Sequence, residues 1–417
     1  MSINSSQSIL EVNNNNNNNL DNTSLQINNQ SLSHIFGPFF RSTKFFTKDA
    51  EFAKNKFKRI ILFLFSILFI LRIIYYIIEL FRTQNLTLTW ARTSLQLTFT
   101  LNALSCFGWL YRYGNNYFNK FIFGLQNVYN KNGNYFQQQQ SSHQLILNKA
   151  PPSFIRPFIF SFIFIFTSII WCSLQILQIQ EQKGLNITNV NLIEEEEENN
   201  IYPTAIKIFL YSIFILLTSL LCAYIGAISL GIFHISFKTV LSHWEIFKKE
   251  LFMPAIENGQ IINPNIFNQI EMSVSSLLIL SHNISNLLAS LGMSLFMNAI
   301  FLNISAGNSS LLYNIIYHIN NINWSVLSIV LLIYTLKGPY DVHSIIQEIK
   351  DQLLLNENIW DNNEETKLRF CERTKNLVKR IEGIKIHRID QQLFNLVFIA
   401  QMVLLWLLVA YSKYSKK

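Results

Sequence analysis

QQLFNLVFIAQMVLLWLLVAY, residues 391–411, is an apolar run long enough to cross the roughly 30 Å hydrocarbon core of a bilayer as one helix. The chain just before it, residues 341–390, has the opposite character. It is polar and charged, yet Ile345, Ile349, Leu353 and Leu354, then Leu368, Leu377, Val378 and Ile381, keep the spacing of an amphipathic helix. A polar helical block that feeds a last membrane helix, with six residues after it, is an unusual plan. It predicts an all-α membrane protein and narrows the architecture more than any short motif does.

Working back from that stretch, six more apolar runs appear, at 59–81, 89–111, 154–178, 204–233, 284–305 and 323–340. Together they predict seven transmembrane helices embedded in a lipid bilayer. The composition agrees, because only 14% of the residues are charged, where about 25% is usual in soluble domains. The apolar residues also come in blocks rather than at strand or helix spacing, which is a membrane signature. The net charge of +8 is therefore read by position. Nucleic acid is not an expected partner, since no basic-groove motif or zinc spacing is present. Cys106, Cys172, Cys222 and Cys371 fall in apolar runs or in the polar block and imply no disulfide framework.

Lysine and arginine assign the sides. Seven lie in 41–59, five in 112–156, three in 234–283 and ten in 337–390, so 25 of the 33 share one side if the N-terminus is cytosolic. That bias predicts a cytosolic N-terminus and, with seven spans, an extracellular C-terminus. The acidic run Glu194–Glu198 and the sequons at Asn85, Asn186 and Asn308 then fall outside. The expected organisation is a disordered Asn-rich tail over 1–40, transmembrane helices 1–6 with their loops over 41–340, a cytosolic helical assembly region over 341–390, and helix 7 with a short outer tail over 391–417. The tail shows no signal-peptide pattern.

This plan resembles the insect gustatory and odorant receptor superfamily, and most of all the gustatory-receptor-like branch found in protists. Two textures carry the resemblance beyond topology. In IFNQIEMSVSSLLILSHNISNLLASLGMSLFMNAIF (266–301) a cytosolic helix runs unbroken into the fifth span, and HRIDQQLF (387–394) enters the seventh. Insect gustatory receptors carry a Thr-Tyr pair in the last helix and a Gln-Phe pair after it; VLLWLLVAYS (403–412) contains neither. The resemblance implies a homotetrameric, ligand-gated, non-selective cation channel at the plasma membrane, with an internal membrane as the alternative location. It implies seventh helices lining the pore, cytosolic helices forming the assembly interface, and an outward-opening pocket for a small molecule of unknown identity.

Several residues are candidates for that chemistry. Arg72 lies inside the first span, where a charge costs about 2.5–3.5 kcal/mol on insertion scales and so faces a wet cavity or a partner. It is read as a pocket wall near Glu79, against the alternative of snorkelling to outer headgroups. Thr93, Gln96 and Thr100 share a face of the second span and suit either a ligand or interhelical hydrogen bonds. Ser219, Ala223, Ala227 and Gly231 form a ridge of small residues for close helix packing. Gln401, Leu405 and Leu408 form one stripe of the last helix, a pore lining whose apolar rings gate by dewetting, against a buried glutamine bonded to a neighbour.

Three other classes share parts of this plan. A G-protein-coupled receptor places its N-terminus outside, against the charge bias. A seven-span zinc hydrolase needs three converging ligands, and the eight histidines show no such cluster, so no enzyme activity, cofactor or metal is expected. A transporter or a non-conducting seven-helix receptor is the alternative to a channel, although no internal repeat supports transport.

Overall fold

The computed structural model describes residues 30–48, 55–82, 88–131, 154–167, 201–302, 314–355 and 364–383, with isolated positions near 170. Among the described residues there is no strand. We number the helices α1 (Pro38–Phe46), α2 (Lys56–Arg82), α3 (Leu88–Lys131), α4 (Ile155–Thr167), α5 (Ile201–Phe247), α6 (Met253–Glu257), α7 (Pro264–Leu302), α8 (Asn314–Leu355) and α9 (Glu364–Gly383).

α5 stands at the centre, packed against α8, α7, α3 and α1, while α3 and α7 share the longest interface. Its position follows from its composition. α5 is apolar on every side of its first half, the pattern of a core or membrane helix; Phe209, Leu210, Ile213 and Leu217 there are exposed, and its burial is concentrated from Ile225 onward. α2 is as apolar, but only 22% of its most hydropathic window is buried, against 61% for the α5 window, so α2 sits at the rim. Among the described residues, three helices are long and apolar enough to cross a membrane, Lys56–Arg82, Ser212–Glu257 and Pro264–Ala289. The first contains the expected first span; the second overlaps the expected fourth over 212–233, and the third overlaps the expected fifth over 284–289. The second and sixth apolar runs lie within α3 and α8, part of the third lies in α4, and 391–411 lies outside the described residues.

The helices run far past the apolar stretches that announce them. α3 continues about 30 Å beyond residue 111, and α5 about 20 Å beyond residue 233. α5 ends through a π-helical turn at Lys248–Phe252, closed by the Met253 N–H donating to the Lys248 carbonyl. Pro254 gives the reason. It has no N–H for the carbonyl four residues back and its ring needs room there, which the wider turn supplies. Asn263 then caps α7, its Oδ1 accepting from the Asn265 N–H at 3.0 Å, and Pro264 takes the first helical position. α8 runs through Pro339 without ending, so the change from apolar to polar at 340–341 is a change of surface and not of backbone. Beside it Gly338 lets the helices touch, since a Cβ there would lie 2.9 Å from Phe237 Cβ.

One expectation is corrected at the amino-terminal end. Residues 30–40, assigned to the tail from sequence, are helical, with Leu32, Ile35, Phe36, Phe39 and Phe40 buried. Phe36 meets Phe118 and Phe121 edge-on, each at 5.1 Å between centroids, and Phe40 meets Phe118 at the same distance. The physical reason is the spacing of those five apolar residues at three, one, three and one, a helix face that outweighs the preceding asparagine run.

Candidate functional site

The buried face of α2 is Leu62, Phe69, Arg72 and Tyr76, at helical spacing. An arginine on that face must find partners inside the bundle, and it does. Arg72 is 1% exposed, its Nη1 donating to Thr218 Oγ1 at 2.8 Å and its Nη2 to Gln96 Oε1 at 2.9 Å. The Tyr76 ring, one turn along α2, lies 5.3 Å from the guanidinium carbon, within cation–π range. The Tyr76 hydroxyl is 3.5 Å from the same Gln96 oxygen, at the outer limit of a hydrogen bond. Three helices, α2, α3 and α5, thus meet on one permanently charged group.

The other sequence-predicted residues fall around this centre. Thr93 and Thr100 are buried on α3 one turn either side of Gln96. The Thr100 hydroxyl donates to the Gln96 carbonyl at 2.7 Å, leaving its lone pairs available. Thr218 likewise donates to the Phe214 carbonyl at 2.7 Å, so its oxygen is an acceptor toward Arg72. Glu79 is half-buried two turns further along α2. Sequence reasoning missed Thr218 and Tyr76. Tyr76 was findable, because it lies four residues after Arg72 on the same face. Thr218 was not, since its pairing spans 146 residues.

The small-residue ridge of α5 lies elsewhere. Ser219, Ala223, Ala227 and Gly231 are all buried. The Ala227 carbonyl accepts from Ser161 of α4 at 3.4 Å, and the Phe39 ring of α1 occupies the space that a Cβ on Gly231 would need. The ridge therefore seats α4 and α1 close to the central helix. Gln401, Leu405 and Leu408 lie outside the described residues.

Two cavities border other parts of the bundle. One of about 430 Å³ lies between α3 and α7, and one of about 730 Å³ lies beside the π-helical turn and α8. Neither is lined by Arg72. The arginine centre is a buried junction in which the two Nη atoms of Arg72 meet the neutral acceptors Thr218 and Gln96, while its buried Nε–H makes no hydrogen bond. Such a junction can lock three helices together, or exchange one acceptor for an oxygen of a bound molecule.

No protein-family model matches the sequence, and no curated protein matches it. Seven chains of solved structures do match. One is an insect olfactory receptor from Machilis hrabei, determined in complex with eugenol; it superposes with a TM-score of 0.53 at 12% identity, over 87% of this chain and 92% of that one. The likeness is one of architecture, with sequence almost wholly diverged. The chain has the fold of an insect olfactory receptor.

Proposed function

We propose that this chain is a chemoreceptor-like, ligand-gated cation channel of the plasma membrane, and not an enzyme. The observation that carries the proposal is the buried Arg72–Gln96–Thr218 junction within a fold like that of a receptor solved with eugenol bound. The junction supplies a fixed cation and polar oxygens inside an apolar helix bundle, the combination that orients a small, mostly apolar ligand bearing one or two oxygens. A ligand oxygen that takes the place of Gln96 Oε1 or Thr218 Oγ1 loosens α2 from α3 or α5, which gives binding a mechanical output.

In this proposal seven helices cross the bilayer with the N-terminus cytosolic and the C-terminus outside, as the bias of 25 basic residues toward one side supports. The exposed apolar faces of α2 and α4, including Phe63, Ile70, Ile74, Phe158 and Phe162, face lipid. Four copies assemble through the polar ends of the helices, and residues 391–411 line the pore, with Gln401, Leu405 and Leu408 facing the ions.

The test is ligand-evoked current in cells that display the full chain, using small oxygenated aromatics with eugenol as the first probe. Gln96→Leu is expected to lower the half-maximal concentration about tenfold, because the ligand oxygen no longer has to displace one hydrogen bond from a charged centre. Gln401→Ala or Leu405→Ala is expected to change single-channel conductance. Surface-displayed chain that passes no current with any probe sinks the channel, and evoked currents indifferent to Gln96 move the ligand elsewhere.

A further inference from the structure

α1 and the first turn of α2 meet at one edge of the apolar runs. Phe46, the last residue of α1, lies 6.1 Å from Phe107 and 6.4 Å from Phe65 between ring centres. Those rings stand four and six residues inside the runs 89–111 and 59–81, so α1 ends about 6–9 Å within them. Lys48 then returns to the boundary, its N–H donating to the Tyr111 carbonyl at 3.2 Å. Lys58 Nζ donates to the Lys44 carbonyl at 2.8 Å and ties the two helices together. Around this joint Arg41, Lys44, Lys48, Lys56 and Arg59 are exposed and Lys58 is half-buried. We propose that this basic collar binds the anionic headgroups of phospholipids in the leaflet it borders. The proposal rests on the membrane reading above and adds a ligand which that reading does not contain.

Three observations point to an anion, and to a lipid as its carrier. The first is a local conflict. Asn55 caps α2, its Oδ1 accepting from the Lys58 N–H at 3.1 Å. The capped end is the positive pole of the helix macrodipole, where Asp or Glu is favourable and Lys or Arg is not. The first turn of α2 nonetheless carries Lys56, Lys58 and Arg59 and no acidic residue. An anion from outside the chain relieves that repulsion.

The second observation is charge density. From residue 38 to residue 60 the sequence holds seven basic residues and two acidic ones, Asp49 and Glu51, which lie outside the described residues. Cations that only set topology need no fixed place in a loop. These are gathered at the packed joint of two helices, directly beside a membrane span, where such a cluster draws acidic lipid. The third observation is the apolar surface set among the cations. Phe57 is 71% exposed and Ile60 56% exposed. Phe57 falls between Lys56 and Lys58 in sequence, and from Ile60 the exposed face continues along α2 through Phe63, Leu64, Ile70 and Ile74, the side assigned to lipid. A dissolved phosphate gains nothing from that surface, whereas the acyl chains below a headgroup do.

The full chain is reconstituted in bilayers of phosphatidylcholine with a minor share of phosphatidylserine. A photo-crosslinking benzoylphenylalanine stands in place of Phe57, and the captured lipid is identified by mass spectrometry. Phosphatidylserine is expected about fivefold above its share in the bilayer, and the excess should shrink as sodium chloride is raised. Lys56→Gln combined with Arg59→Gln is expected to remove the excess, while Lys56→Arg retains it. The same crosslinker in place of Phe63 should capture lipid in every variant, which shows that α2 is still embedded. Capture of phosphatidylserine only in proportion to its share, or an excess untouched by the double substitution, overturns the collar. No lipid at position 57 beside clear capture at position 63 overturns it as well. An excess lost in millimolar inorganic phosphate, but kept in chloride of equal ionic strength, overturns it in favour of a free-anion site. No lipid at position 63 in the unsubstituted background overturns the membrane reading itself.

Discussion

The two halves of the long helices are built inside out with respect to each other. Around Arg72 the interior is polar, with Gln96, Thr100 and Thr218 buried, and the outside is apolar, with Phe63, Ile70, Ile74 and Phe81 exposed on α2 alone. At the other end the interior is aromatic, with Phe36, Tyr117, Phe121, Trp244, Phe252 and Phe267 all at most 1% exposed. There the outside is charged, carrying Lys248 against Glu348, Lys350 against Glu382, and Arg373 and Arg380 against Glu271. The same helices, α3 and α5, carry both patterns. The polarity of the surroundings explains the inversion. An apolar solvent gives no reward for burying apolar surface, so hydrogen bonds and small-residue contacts hold that half, while burial of rings holds the half that meets water.

The sharpest way to break this comparison is to remove a ring from each half. Phe36→Ala takes a fully buried side chain from the aromatic interior and should cost about 3–5 kcal/mol, read as unfolding in detergent or as early proteolysis of the polar end. Phe63→Ala, on a side chain 66% exposed, should stay within about 0.5 kcal/mol. Equal effects would mean that the two halves are not differently solvated. Second in size is Arg72→Met, which keeps the length of the side chain and strands the acceptors on Gln96 and Thr218. It should cost about 1–3 kcal/mol, and combined with Gln96→Leu the losses should fall short of additive. Additive losses would show that the junction does not act as a unit.

The apolar half was the more legible of the two. Runs such as 204–233 announce themselves by composition, and Arg72, Gln96 and Thr100 stand out there because any polar group in such a run needs a reason. What the runs do not reveal is where their helices end. Past residue 111 or residue 233 the apolar positions fall back to one face, and the same backbone then reads as a loop, although α3 and α5 continue. Pairings across the chain were equally hidden, as with Thr218, or Trp244 Nε1 to Ser281 Oγ at 3.0 Å. The residues 30–40 were legible in principle and were masked by the asparagine run beside them.

Glu271 of α7 meets Arg373 at 3.0 Å and Arg380 at 3.2 Å, and the Arg373 guanidinium also lies 5.1 Å from the Phe267 ring centre. These arginines are half exposed, so the pairs contribute little despite their number. Glu271→Gln should cost less than about 1 kcal/mol, and the difference from wild type should vanish as salt is raised. A larger or salt-independent loss would mean that α9 is clamped electrostatically and not by the packing of Leu377 and Ile381.

The smallest effect is expected on the seam between the halves. Asp341 is the first carboxylate after the apolar run of α8, and the cavity beside the π-helical turn lies next to it. Burial raises its pKa above the ordinary carboxyl value, and it prevails over Lys337 and Lys238, which pull the other way. The proton is therefore held more tightly in the folded chain than in the unfolded one. The ionised carboxylate carries a cost that is absent below the ordinary carboxyl pKa and grows as pH rises through the raised one. Asp341→Asn should then be slightly more stable than wild type at pH 7, within about 0.5 kcal/mol, and equal to it near the acid end of the carboxyl range. If the seam were fully wet, burial could not outweigh two lysines, and the substitution would destabilise at pH 7. The sign of that small difference therefore reports where along α8 the water-facing half begins.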